Sequence, residues 1–386
     1  MKICILTPRF PFPENGGDVL RINNICRYLK SKEHAVVLIT FFDKANEEKY
    51  KAFANELYNK VYYIKRRNII SYFFSIFALL FNKPIQSGYY FSFAYLFTLK
   101  KVIRLERPDL YISHLLRMVP YLKIFNLQNE SIVEMTDVLS KTYTLVDKSS
   151  KFSLKKWIYK IEKMRIAKYE IRTISTFKKC VLVSDADKNL LGDYKSLSVY
   201  PNGVNCLGQF HSRYKKGKIV FVGNMRTLQN QDAVRYFVYE ILPLIKKMVP
   251  QAVLHIIGDE PPMDIQRMSD RNSIVVSGYV HSVEDEIKDA AVSIAPIRVA
   301  AGIQNKILIS MACGIPVVLT SLVSAGIPGL VSNKNCIIAD GKSDFAHAVI
   351  SLIQNGDMRD IIGKAGYDMV WSGYSWNKVL EGYEYC

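Results

Sequence analysis

Short apolar runs, each released by a glycine or polar turn and followed by a helical pattern, recur along this chain, and no other feature narrows its possible folds as much. "KICILT" leads through the loop "PRFPFPENGGD" and the helical pattern "VLRINNICRYLKSK" to a second run, "AVVLITFF". Strand, crossover helix and strand in that order form a βαβ unit, with Gly16 and Gly17 in its first loop. "VYYIKR", "DLYISH", "SIVEMT" and "KCVLVS" continue the series, separated by long helical stretches such as "LKKWIYKIEKMRIAKYEIRTIS". After "VYPNGVN", residues 199–205, the alternation restarts with "KIVFVGN", "AVLHIIGDE", "SIVVSGYV", "VSIAPI" and "PVVLTS". The expected class is α/β, with two parallel sheets covered by helices on both faces. A chain of 386 residues suits two domains of ordinary size.

Charge divides along the same boundary. Residues 1–200 carry 34 Lys and Arg against 18 Asp and Glu, whereas residues 201–386 carry 18 against 17. The first half therefore predicts an anionic partner: a membrane surface, a nucleic acid or an acidic substrate. No helix-turn-helix, zinc-finger or RNP-like pattern accompanies the charge, so nucleic acid is not expected. The segment "KRRNIISYFFSIFALLFNKP" sets basic flanks around an aromatic centre, a pattern for docking at an anionic lipid surface or for a buried helix. Its apolar core, residues 69–81, is shorter than the ~20 residues a spanning helix needs. "KICILT" follows no charged leader, so no signal peptide is expected. Seven scattered cysteines without a CxxC spacing predict reduced thiols in the cytoplasm and no structural zinc.

The second half holds the chemistry-bearing pattern. Gly223, Gly258 and Gly278 each follow an apolar strand, and Gly302 precedes the helical pattern of "AAGIQNKILISMACGIPVVLT". Glycines at strand ends admit close approach of a ligand, and helix amides attract anions, so this edge predicts a phosphate or nucleotide site. Lys306, in the first turn of that helix, opposes the helix dipole unless an anion offsets it, and Arg298 can reach the same space. The Asp-x-Asp of "SDAD" is read as a helix cap rather than a metal site. His114 and Asp137, after strands of the first half, are the candidate bases, with Asp137 ahead of His114.

Taken together, "LTPRFPFPENGGD", "VSDAD", "YPNGV", "FVGNMRTLQNQDAVRYF", "HIIGDEPP", "VSGYV" and the Lys306 segment make the chain resemble GT-B glycosyltransferases. The likeness is to the retaining group 1 (family 4) type and its polysaccharide-assembly branch, and it covers nearly the whole chain. The resemblance implies two Rossmann-like doubly wound domains facing a central cleft. An acceptor domain would span residues 1–198 and a donor domain 199–370, with a C-terminal crossover helix, 371–386, packing on the first. It implies metal-independent transfer, without a cofactor, from a nucleotide-diphosphate sugar to a lipid-linked or oligosaccharide acceptor. The setting would be surface polysaccharide or lipopolysaccharide synthesis, by a cytoplasmic enzyme peripheral on the inner face of the membrane. Donor positions carried over are Gly16, Gly17, Arg226, Asn230, Gly258, Tyr279, Val280, Arg298, Gly302, Asn305, Lys306 and Ile309. Lys306 and Arg298 would also stabilise the leaving diphosphate.

The chain departs from that pattern at Ile309, where family members usually carry Glu, and at Ala301, where many do although this branch is more variable. Losing the ribose-binding Glu would cost roughly 1.5–3 kcal/mol, about one to two decades of affinity, without abolishing the site. The two rival expectations are a non-catalytic descendant acting as a binding or scaffold subunit, and a sugar-nucleotide epimerase.

Overall fold

The computed structural model describes residues 1–14, 16–66, 68–141, 143, 154–205, 214–270, 272–280, 282–298 and 305–385. The chain divides into two compact units, Met1–Pro201 with Leu380–Cys386, and Asn202–Val379. Each is an α/β unit around its own parallel sheet, as the strand and helix alternation predicts.

In the first unit, β1 (Lys2–Thr7), β2 (Ala35–Phe42), β3 (Lys60–Lys65), β4 (Leu110–His114), β5 (Ser131–Thr136), β6 (Lys179–Leu182) and β7 (Leu197–Val199) form one sheet. Their order is β3-β2-β1-β4-β5-β6-β7, and neighbouring strands pair in parallel. Runs such as "CILT" and "VVLITFF" are buried along their whole length, which explains why these strands read as continuous apolar stretches instead of alternating ones. One face packs a core that includes Leu6, Ile39, Tyr95, Leu99, Tyr121 and Val133.

The first unit also contains a fully buried ion pair. Arg21, from the Gly17–Ser31 helix, donates to both carboxylate oxygens of Glu134 on β5, at 3.0 and 3.2 Å, and to the carbonyl oxygen of Pro201 at 3.2 Å. Tyr383 adds a hydroxyl donated to Glu134 Oε2 at 2.9 Å. Lys179 donates to the Tyr383 carbonyl oxygen, so the tail is fastened to β5 and β6.

In the second unit, β8 (Lys218–Val222), β9 (Val253–Ile257), β10 (Ile274–Gly278), β11 (Val292–Ala295), β12 (Val317–Leu319) and β13 (Ile337–Ile338) pair in parallel in the order β10-β9-β8-β11-β12-β13. The apolar pattern "DAVRYFVYEILPLIKKM" has a helical period throughout but forms helices Leu228–Tyr236 and Leu242–Met248 around a π-turn at Phe237–Ile241. Pro243 has no N–H to donate one turn back, so the hydrogen-bond register slips there. Beyond the Gly356–Gly373 helix the chain does not run on as one helix. It makes a single turn at Trp376–Val379 and a 3-10 turn at Tyr383–Tyr385, separated by Gly382 at a φ of 76°.

Candidate functional site

In the second unit, three strand ends and the Asn305–Ala312 helix surround an open cavity of about 460 Å³. Gly223 and Asn224 enter it after β8, Gly258 and Asp259 after β9, and Gly278, Tyr279 and Val280 at and after β10. Asn230, Asn305, Lys306 and Ile309 complete the wall. Sheet order turns at β8, which lies between β9 and β11, and ligands of open α/β sheets bind outside the strand ends at such a switch. The strand ends lie too close for side chains. A Cβ at Gly258 would stand 1.7 Å from the Gly223 carbonyl oxygen, and one at Gly223 would stand 2.8 Å from Asn230 Nδ2.

Lys306 dominates the electrostatics of this cavity. Its Nζ donates to Asn230 Oδ1 at 2.6 Å and stands 4.6 Å from the centroid of the Phe221 ring. Asn230 is itself oriented by donation from Nδ2 to the Asn224 carbonyl oxygen, 2.8 Å away. Burial brings the Lys306 pKa down to about 7, because the ammonium loses water without gaining a carboxylate partner among the described residues. An anion entering the cavity would supply the missing charge.

The remaining residues expected in the second unit fall into distinct places. Arg226 is drawn to Asp259 Oδ2 at 2.9 Å and Glu260 Oε1 at 2.6 Å, and so touches the cavity through a partner. Arg298 makes a two-pronged pair with Asp232 at 2.6 and 3.1 Å and lies 4.3 Å from the Tyr236 ring centroid, not on the cavity wall. Ile309 is half-buried and packs against both apolar clusters of the unit, with Val280 and Val283 nearby. Gly302 and Ala301 lie outside the described residues. Asn224, Gln229 and Asp259 line the cavity without having been singled out from the sequence. Their signal was adjacency: Asn224 and Asp259 each follow a strand-ending glycine.

In the first unit, Gly16 precedes and Gly17 opens the Gly17–Ser31 helix. His114 ends β4 in a buried position, with Nδ1 lacking a hydrogen-bond partner among the described residues. Burial, with Arg21, Arg117 and Arg9 adding to it against Asp18, brings its pKa down to about 3. A neutral imidazole of that kind is a feeble proton acceptor near neutral pH. Asp137 follows Thr136, which has a φ of 67°. Asp137 is exposed, and partial loss of water and then Asp187 raise its pKa, against Lys141 and Arg21. In "SDAD", Ser184 Oγ accepts from the Asp187 N–H at 3.1 Å, a helix cap as read from the sequence. Among the described residues no cluster of three or more His, Cys, Asp or Glu is arranged to hold a metal ion.

A second cavity of the first unit, about 1000 Å³, lies beyond β1, β2 and β3. Phe10, Phe42 and Tyr63 meet edge to face in it, with ring centroids 5.3 Å apart for Phe10–Phe42 and 4.8 Å for Phe42–Tyr63. Lys51 lies 4.9 and 5.0 Å from the Phe42 and Tyr63 centroids, and Arg9 and Arg66 also face the cavity. Elsewhere on the unit, the Asn68–Leu80 helix exposes Ile69, Phe73, Ile76 and Leu80 as one apolar stripe. Among the described residues no helix is long and apolar enough to cross a membrane.

Known proteins resemble the chain at three levels. The sequence model described as "Glycosyl transferases group 1" matches residues 216–355. A Klebsiella pneumoniae protein, described as an uncharacterized 44.6 kDa protein in the cps region, is 24% identical over 399 residues, covering 98% of each chain. Among solved structures, Anabaena Alr3699/HepE in complex with UDP superposes with a TM-score of 0.65 at 13% identity, over 99% of this chain and 98% of that one. A mutant of S. aureus TarM with fondaparinux, alpha-GlcNAc-glycerol and UDP gives 0.66 at 14% identity, over 99% and 98%. The pneumococcal O-GlcNAc transferase GtfA with UDP and GlcNAc gives 0.66 at 10% identity, over 100% and 98%. At these identities the structural likeness concerns the fold, while the sequence match falls on the unit that holds Lys306. The chain has the two α/β units of the GT-B fold, and its residues 216–355 are a group 1 glycosyltransferase domain.

Proposed function

We propose that this chain is a retaining glycosyltransferase that moves a sugar from a nucleotide-sugar, bound in the second unit's cavity, to a lipid-carried glycan during surface polysaccharide assembly. The carrying observation is Lys306: a half-buried ammonium without a carboxylate partner among the described residues, its pKa lowered to about 7, lining a cavity at the switch point of a parallel sheet. The donor diphosphate takes the place of the missing counter-ion. As the bond between the anomeric carbon and the diphosphate oxygen breaks, negative charge gathers on the leaving group, and Lys306 stabilises it there. The acceptor oxygen forms the new bond on the same face and gives up its proton, for which Asp137 is the candidate acceptor and His114 the weaker one. Tyr279 and Val280 meet the base, and Asn305 the phosphates. Arg298 joins them on exchanging Asp232 for the donor, and Gly16 and Gly17 contribute their loop. Charge neutralisation by side chains leaves no need for a metal ion. The Phe10–Phe42–Tyr63 cavity, aromatic and lined by charges of both signs, suits the glycan end of the acceptor. A capsule or similar polysaccharide setting is supported by the cps-region relative. The exposed stripe and the basic first half support a station on the inner face of the cell membrane.

The test is a calorimetric titration of the protein with UDP, GDP, ADP and CMP, beside Lys306→Ala. Saturable binding of one nucleotide, reduced in Lys306→Ala and indifferent to chelator, supports the donor site. A folded protein that binds none of the four would move the scaffold reading ahead of the enzymatic one.

A further inference from the structure

The first unit has another cavity, of about 710 Å³, that shares no lining residue with the sites above. Its inner wall is aromatic. Phe74 meets Phe91 and Phe93 at centroid distances of 5.0 and 5.6 Å, and Phe77 meets Phe81 at 4.7 Å. Its rim is cationic, and the described lining residues include no carboxylate. Arg165 is occupied, donating to Asn82 Oδ1 at 3.1 Å and standing 4.0 Å from Glu162. Lys83, Lys123, Lys168 and Arg172 have no ion-pair partner among the described residues. Lys123 lies 5.4 Å from the Tyr169 ring centroid, and its pKa is lowered by burial and then by Arg172 and Lys83. Four cations thus converge on an apolar hole without a counter-charge.

We propose that this cavity holds the hydrocarbon chain of one lipid molecule whose phosphate head is gripped by Lys83, Lys123, Lys168 and Arg172. The inference deepens the lipid-carried acceptor reading and rests on it for its biological role. The volume lies within the ~300–1,000 Å³ of ordinary small-ligand sites, which suits one chain better than a patch of bilayer. An aromatic wall alone would accept any apolar molecule, and the unpaired cations select one with an anionic head. Phe77 and Phe81 line the cavity and are also exposed, 47% and 60%, next to the Ile69–Leu80 stripe. A chain leaving a membrane under that stripe can therefore enter without crossing water.

The test titrates the full chain with dodecyl phosphate below its micelle concentration, by calorimetry, beside dodecyl maltoside and inorganic phosphate. One-to-one binding of dodecyl phosphate is expected. The double variant Lys168→Glu/Arg172→Glu should weaken it by about tenfold to a hundredfold, as loss of charged hydrogen bonds does. Ile124→Trp, a bulky change at a half-exposed lining position, should block it without touching the rim charges. Equal binding of dodecyl maltoside would overturn head recognition, and equal binding of inorganic phosphate would overturn the chain site. Binding only to anionic vesicles, with none to monomer, would mean surface docking and would also overturn the proposal. Nucleotide titration of the same samples separates the two readings. Nucleotide binding without dodecyl phosphate binding rejects this cavity alone, and the reverse rejects the donor site alone.

Discussion

Lys306 shows how one residue can cost stability and supply function together. Its ordinary pKa of ~10.4 falls to about 7 in the folded protein. Between those values the unfolded chain binds more protons than the folded one, so stability should rise with pH from about 7 to ~10.4. Lys306→Met should abolish this slope, read as the urea midpoint across that window. A bound diphosphate keeps the ammonium charged, so nucleotide affinity should fall as pH rises past 7 in the parent protein and stay flat in the variant. Ile309 is the complementary case. Ile309→Glu places a carboxylate one turn from Lys306 on the cavity wall and should tighten the bound nucleotide by about one to two decades. Unchanged affinity in a folded variant would remove the ribose from that part of the site.

At the scale of elements, the close approach of β8 and β9 and the Arg21–Glu134 pair are the two joints most exposed to mutation. Gly258→Ala drives a methyl group into the Gly223 carbonyl and should cost about 1–3 kcal/mol, checked by urea unfolding. Gly373→Ala, whose added Cβ meets nothing within 4 Å, serves as the control and should not destabilise. Arg21→Met strands a buried Glu134 carboxylate and should cost about 3–5 kcal/mol. Arg21→Met with Glu134→Leu should recover part of that loss, because neither charge of the pair then remains, although the Tyr383 hydroxyl loses its acceptor. Eleven of the thirteen strands correspond to apolar runs legible in the sequence. The two missed, β7 and β13, have three and two residues, too short for a period to register, and they pair because a neighbouring strand offers an edge.

For the molecule as a whole, the uneven charge predicts its behaviour at surfaces. If the first unit meets a membrane through its basic face and the Ile69–Leu80 stripe, sedimentation with phosphatidylglycerol vesicles should weaken as salt rises. Phe73→Ser with Ile76→Ser should release the protein at low salt as well. Retention of the variant on vesicles would detach the stripe from membrane binding.

The sequence by itself determined the fold class, the two-sheet plan, the charge imbalance and the identity of Lys306 as the residue to watch. These follow from local patterns: apolar runs of strand length, helical periods between them, and glycines where strands end. Only the tertiary structure decided which polar groups share a cavity. Asn230 reaches Lys306 from another helix across 76 positions of sequence, and Asp259 lines the same cavity from the loop after β9. Arg298, placed near Lys306 by sequence distance, turns instead to Asp232 and Tyr236. The apolar cavity with its four unpaired cations belongs to the same class. Its residues come from segments scattered between positions 74 and 172, and packing alone brings them to one place.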